Sequence, residues 1–454
     1  MRLKHFFESI FNWRPVFGLF LALLLMGGAA FTARADEGTD ESEGMMVEVN
    51  SVVSLSEDQS VGQDSGIISS NQDNTAILND EETLVVYNRL ILSGEKGRVE
   101  EKSGQLIAEG TAQSVVADIG LEKQNKAIAI IELAAGQSVT DLIEQINTES
   151  DDLAATPDYL TTGDPYITVG SGRGRPLREA PETSLAEQWP TNFIGELPNK
   201  PNGKKTQVFV FDAFCDKDLP ESMAITSNAD VNLCGHGHAV QDVIQFVAPK
   251  AEVQPVRVLD DHLMTSLGTL IIEINRKMND VLAEKKNLKR TVWNFSLSIR
   301  TRAKEVKPLK YMLKEVHKNK GVIVAAAGNE SKKNKDKKKT SFPGRYNFVI
   351  DVGAIGSDGD SIFYSNQASV LAPGGDGRCK KNPEGCLILS DPNSTTDYSY
   401  YAGTSFAAPF VSGTAALIQH AGERRPNKIR QLIYDAAASN NNKLKIPNTL
   451  SLLR

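Results

Sequence analysis

Val208-Phe209-Val210-Phe211-Asp212 is a run of four apolar residues closed by a carboxylate. Apolar residues without polar alternation read as a strand buried on both faces, which is the pattern of a parallel sheet covered by helices. Downstream, Ala239, Val240, Val243, Ile244 and Val247 recur at helical spacing until Pro249 stops the helix. The alternation continues with a strand expected over 253–259, a helix over 266–284, a strand over 291–297, a helix over 303–319, and strands over 322–327 and 348–353. The fold expected is α/β, a mostly parallel doubly wound sheet with helices on both faces, occupying residues 184–454.

Open sheets of this kind gather their active groups at the carboxyl ends of strands. Asp212 ends the first strand, and His236 opens the helix after it. Asn329 follows the strand over 322–327, and Ser405 opens a helix within Gly403-Thr404-Ser405-Phe406-Ala407-Ala408-Pro409. A serine hydroxyl attacks a carbonyl poorly unless a base removes its proton, and an imidazole titrates near the working pH. An aspartate on the other ring nitrogen fixes the tautomer and stabilises the imidazolium. An amide side chain and a backbone N–H at a helix start supply donors for the oxyanion. Taken singly, each residue has a plainer reading: a serine before a helix is a cap, and an aspartate or asparagine at a strand end forms a turn.

Four separate places make the plainer readings untenable together. Gly403–Pro409 resembles the signature of the subtilisin-like serine proteases, with Phe406 in the methionine position. Ala325-Ala326-Ala327-Gly328-Asn329-Glu330 resembles the oxyanion segment of that family, Cys234-Gly235-His236-Gly237 resembles its histidine motif, and Asp212 closes an apolar strand as its aspartate does. The chain order Asp, His, Ser is also the family's. The resemblance implies a serine endopeptidase with catalytic residues Asp212, His236 and Ser405 and oxyanion donor Asn329. It also implies a substrate-binding strand at Ser296, Leu297 and Ser298, and a specificity-pocket wall at Ala325, Ala326, Ala327 and Gly328. Main-chain pairing would hold an extended peptide on that strand.

There are departures. Ala213-Phe214 stands where the family has a hydroxyl residue and a glycine, and His238-Ala239 where it has threonine and histidine. Ser298 occupies a position usually taken by glycine. His236 and His238, two apart on a helix, point in different directions, so no shared metal is expected. The chemistry requires no cofactor; structural Ca2+ is common in the family, and no loop here specifies a site. Residues 332–340 contain six lysines beside the oxyanion segment, read as a solvated loop or as a patch that recruits acidic partners.

Further upstream the texture changes. Arg2, Lys4 and Arg14 precede an apolar run from 16 to 31 and Ala33-Arg34-Ala35, a signal peptide expected to be cut after Ala35, with an uncleaved anchor as the other reading. Residues 36–74 carry ten acidic residues and no Lys or Arg, and read as a disordered spacer. Residues 75–162 hold strand-like runs at 84–87 and 127–133 and a helical pattern at 139–146, a small α+β unit. Ala127–Tyr159 resembles, more loosely, the end of a prodomain of the same family, which implies a zymogen with self-cleavage between Leu160 and Gly172; a simple adhesive or spacer domain is the plainer reading. Residues 163–183, rich in Gly, Pro and Arg, read as a linker.

The signal segment places the rest outside the cytoplasm, where disulfides form. Cys215, Cys234, Cys379 and Cys386 allow three pairings; the sequence does not choose, and the neighbour pairing is the one expected. A net charge of −7 gives no argument for nucleic acid. The partners expected are a polypeptide substrate and the chain's own amino-terminal unit in cis, around a monomer.

Overall fold

The computed structural model describes residues 67–69, 75–78, 83–162, 180–215, 233–260, 263–284, 288–299, 301, 306–332, 337–379, 381–392, 394 and 396–453. The signal segment, nearly all of the acidic stretch and the linker up to residue 179 lie outside these.

The amino-terminal unit comprises β1 (Ile67–Ser69), β2 (Thr75–Leu78), β3 (Thr83–Glu95), α1 (Lys96–Ala108), β4 (Ala112–Leu121), β5 (Lys126–Leu133), α2 (Val139–Glu149) and β6 (Leu153–Thr162). The strands run antiparallel in the order β1-β2-β3-β5-β4, with β6 on β3. β1 falls inside the stretch read as a disordered spacer, which is corrected there. Residues 65–72 carry no charge, and Ile67–Ser69 pairs with Ala76–Leu78. β5 is apolar on both faces for a structural reason. Ala127, Ala129 and Ile131 pack on Val99, Leu106, Leu142 and Ile146 of the unit's own helices, while Ile128 and Ile130 face the larger domain.

The larger domain follows as α3 (Pro190–Ile194), β7 (Gln207–Asp212), α4 (His236–Val247), β8 (Glu252–Arg257), β9 (Met264–Ser266), α5 (Leu267–Ala283), β10 (Thr291–Phe295), α6 (Lys307–Lys318) and β11 (Val322–Ala326). β12 (Ile350–Ile355), β13 (Val370–Pro373), β14 (Leu387–Ser390), β15 (Tyr398–Tyr401), α7 (Thr404–Ala421), α8 (Pro426–Ala438) and α9 (Ile446–Ser451) complete it. Six strands in the order β13-β12-β11-β10-β7-β8 form one sheet, and every pairing in it is parallel.

The opening run now has its explanation. Val208 and Val210 face one layer with α4, α7 and α8, while Phe209 and Phe211 face the other with α5 and α6. Phe211 stacks on Phe295 at 4.7 Å between ring centroids and on Trp293 at 5.4 Å. Phe295 is in register with both Phe211 and Ala325. Whatever follows each of these three residues therefore emerges together at the carboxyl edge of the sheet.

The amino-terminal unit packs on α5 and α6. Glu315, 3% exposed, accepts the Lys123 N–H on one carboxylate oxygen and the Gln124 side-chain amide on the other, each at 2.9 Å. Asp158, wholly buried, accepts the Gly268 N–H at 2.7 Å near the start of α5. Burial raises the Asp158 carboxyl above the ordinary carboxylate range, against the pull of that N–H and of Arg89. The end of β6 then pairs antiparallel with β9, Leu160 opposite Ser266 and Thr162 opposite Met264.

The last residues of the expected linker are docked. The Ala180 N–H donates to the Tyr398 carbonyl at 3.1 Å. Gln188 pairs its side-chain amide with both backbone groups of Ile388 at 2.9 Å, and Trp189 Nε1 donates to the Cys386 carbonyl.

Candidate active site

Asp212 leaves β7 with its side chain fully buried. Its Oδ1 accepts the Ala213 N–H at 2.8 Å and lies 2.6 Å from His236 Nδ1. In a neutral imidazole, a carboxylate facing Nδ1 selects the tautomer with its proton on Nδ1 and its lone pair on Nε2. That Nε2 is buried and has no hydrogen-bond partner among the described residues, which leaves it open to accept. Glycines make the approach possible. A Cβ on Gly237 would lie 2.2 Å from the Ala213 carbonyl, and one on Gly235 would lie 2.4 Å from Asp391 Oδ1.

Ser405 is the second residue of α7 and is also fully buried. Its hydroxyl donates to the Ser296 carbonyl at 3.1 Å, and Ser296 Oγ donates back to the Ser405 carbonyl at 2.6 Å. The return bond has a covalent cause. In a helix the Ser405 carbonyl would receive the N–H four residues on, but that residue is Pro409, which has none. Ser296 fills the gap, held in turn by Asn294 Nδ2 at 3.0 Å, while Ser412 Oγ donates to Asn294 Oδ1 at 2.7 Å. The His236 ring lies beside Phe406, the next residue after the serine, with centroids 4.9 Å apart.

Asn329 is joined to the serine segment through Thr404. Its Oδ1 accepts the Thr404 N–H at 2.9 Å, and Thr404 Oγ1 accepts the Gly328 N–H at 3.2 Å. With Oδ1 turned to Thr404, the donor end of the Asn329 amide is Nδ2. Gly328 has φ +97°, and a Cβ there would meet Glu330, Asn366 and Ser341 within 2.8 Å, so the turn admits glycine alone. Asn366 ties the same turn, donating to Glu330 and, at 3.1 Å, to the Ala327 carbonyl.

The structure thus pairs Asp212 with His236 and links Ser405, Asn329 and Ser296. The Ser405 hydroxyl donates nothing to His236 Nε2 in this arrangement. The residues expected to line a cleft have inward side chains: Leu297 and Ala325 pack in the layer with α5 and α6, and Ala326 in the layer with α4 and α7. Ser296 and Ser298 are buried as well, and the Ala327 carbonyl is occupied by the Ser341 N–H and Asn366. Sequence reasoning missed the roles of Thr404, Asn366 and Glu330; Thr404 was within the quoted motif, but no spacing rule points to a partner 75 residues away.

Both disulfides join sequence neighbours, Cys215 to Cys234 and Cys379 to Cys386. In the lysine-rich loop, Lys337 Nζ donates to the Ile362 carbonyl, and burial lowers its pKa to about 8. No cluster of three or more metal-ligating side chains occurs among the described residues.

A model of the subtilase family matches residues 224–450, half of the 454-residue chain. The chain belongs to the subtilase family. His236, Asn329 and Ser405 lie within the match, and Asp212 lies ahead of it. Among curated relatives, the major intracellular serine protease of Bacillus subtilis is 34% identical over 118 residues, 25% of this chain and 33% of that protein. The intracellular serine protease of Paenibacillus polymyxa is 26% identical over 248 residues, 49% of this chain and 68% of that protein. The chain therefore spans a third of the first relative and about two thirds of the second. Fervidolysin from Fervidobacterium pennivorans, described as a keratinolytic enzyme related to subtilisin, has a similar fold, with a TM-score of 0.56 at 18% identity over 85% of this chain and 62% of that one.

Proposed function

We propose that this chain is a serine endopeptidase that is exported and made as a zymogen. The observation that carries the activity is the buried Asp212–His236 pair at 2.6 Å, with an unoccupied Nε2, at the same sheet edge as Ser405. In this reading, Ser405 Oγ turns from the Ser296 carbonyl and attacks the scissile carbonyl while His236 Nε2 takes its proton. Asn329 Nδ2 and the Ser405 N–H hold the resulting oxyanion. The imidazolium, steadied by Asp212, protonates the leaving amine. Water then repeats the sequence to free the acyl group, with His236 again the base.

Wild-type protein should be labelled by a fluorophosphonate and should degrade casein, and Ser405→Ala should do neither. The alternative, a protease-like module that grips peptides without cutting, predicts no labelling of either.

The zymogen reading is supported by the pairing of β6 with β9. That pairing leads the chain from the amino-terminal unit onto the strand that precedes α5, main chain to main chain, as an extended peptide would bind. Ser405→Ala should accumulate unprocessed while wild type is cut between Leu160 and Gly172; identical processing in both would remove self-cleavage. Export is supported by the pattern of residues 1–35 and by two disulfides. The mass of the mature amino terminus distinguishes a removed signal from a retained anchor.

A further inference from the structure

The sequence departs from the subtilase pattern just after Asp212 and just after His236, and the two departures touch. Phe214 meets His238 edge-on, with ring centroids 5.4 Å apart and planes at 78°. The Gly237 N–H donates to the Ala213 carbonyl at 3.0 Å. Cys215, three residues after Asp212, is bonded to Cys234, two residues before His236, with their Cα atoms 4.7 Å apart. Three unlike links, covalent, hydrogen-bonded and aromatic, thus join residues 213–215 to 234–238.

We infer that Phe214, Cys215, Cys234 and His238 form a clasp of positioning residues that sets the Asp212–His236 geometry. The inference rests on the endopeptidase reading. The 2.6 Å bond it secures joins the end of a strand to the start of a helix 24 residues later. Core packing sets α4 against β7 through Val208, Val210, Val240 and Val243, and the three links fix the ends of the two elements, where the carboxylate and the imidazole sit. Burial holds the His238 imidazole below its ordinary pKa, against Asp242, Asp212 and Asp391, which favours the neutral ring that suits an apolar contact with Phe214. Loss of the clasp lets the imidazole drift from productive alignment, and displacement of about 1 Å costs on the order of 100-fold in rate. Peptide binding along the sheet edge uses other residues and is spared.

The test compares wild type with Cys215→Ser/Cys234→Ser, Phe214→Leu and His238→Thr, and takes Cys379→Ser/Cys386→Ser as the distant disulfide control. Each is measured for kcat and KM on a fluorogenic peptide, for fluorophosphonate labelling rate, and for circular dichroism. The expected result is a kcat about 10- to 100-fold lower in the clasp cysteine variant and about tenfold lower in each single variant. KM should stay within about twofold, and the control should keep the wild-type kcat. If the clasp cysteine variant fails to fold, the two single variants decide, since both keep the disulfide. Folded variants with wild-type kcat, or a fall in the control equal to that in the clasp, would overturn the inference. Failure of wild type itself to label would strike the endopeptidase reading instead.

Discussion

Replacing Ser296 by alanine removes one hydroxyl, yet it orphans two buried groups. The Ser405 carbonyl lacks the helical donor four residues on because Pro409 has no N–H, so it loses the Ser296 hydroxyl, and Asn294 Nδ2 loses its acceptor at 3.0 Å. Each unsatisfied buried polar group costs about 1–3 kcal/mol. The substitution should therefore cost about 2–6 kcal/mol, a large part of the roughly 5–15 kcal/mol that separates a folded domain from its unfolded chain. A Ser405→Ala background prevents self-digestion and leaves the carbonyl in place. Urea unfolding followed by tryptophan fluorescence should then show a midpoint lower by about 1 M or more, given slopes of about 1–3 kcal/mol per molar. The sharper measurement adds Pro409→Ala, which restores an N–H four residues from Ser405. In that background Ser296→Ala should cost about 1 kcal/mol less, a coupling of the size expected for groups sharing a partner. Strict additivity, or a Ser296→Ala protein within about 0.5 kcal/mol of its parent, would refute the bracket as described.

Asn329→Ala should lower kcat about 10²–10³-fold, equivalent to ~2.7–4 kcal/mol of activation energy. Steady-state assay of folded protein checks this, and a change confined to KM would count against an oxyanion role. Glu315→Ala leaves the Lys123 N–H without its acceptor and the Gln124 amide with the Tyr311 carbonyl alone, so in a Ser405→Ala background an added protease should clip the amino-terminal unit faster than in the parent. Lys337 has its pKa lowered to about 8 by burial. Between about 8 and the ordinary 10.5 the unfolded chain holds a proton there that the folded chain lacks, so this group makes stability rise with pH across that window. Lys337→Gln should flatten that part of a stability profile measured by urea unfolding.

The central sheet was readable because strands covered on both faces write continuous apolar runs, as at Val208–Phe211 and Val322–Ala326. α1 and β4 were not foreseen. α1 buries Lys102 and Ser103 beside Val99 and Leu106, and its start has no side-chain cap, so neither stripe nor boundary stands out. β4 leaves most of its residues wholly or partly open to solvent and has no regular alternation. β14 and β15 have only four residues each, too short for a period to declare itself. At the site, the order and types of Asp212, His236, Asn329 and Ser405 were legible because the chemistry restricts them. The part played by Ser296 was not, since it joins a carbonyl that a proline leaves without its helical donor to a hydroxyl in another element, 109 residues away. The same holds for Phe214 and His238, which in sequence look like two unrelated departures and in space are one contact.

The docked arm from Ala180 to Trp189 sets a natural end point for erosion of the chain from its front. Removal of residues ahead of Ala180 takes away none of the bonds that hold this arm to β15, β14 and the Cys386 carbonyl. Beyond Ala180 each lost residue begins to unpick them, and by Gln188 a side chain that behaves as an extra peptide group in the hairpin would be gone. Ragged starts upstream of Ala180 therefore leave the arm itself whole, even where they remove the amino-terminal unit and its packing on α5 and α6, and material trimmed from the front should cluster at lengths that keep the arm.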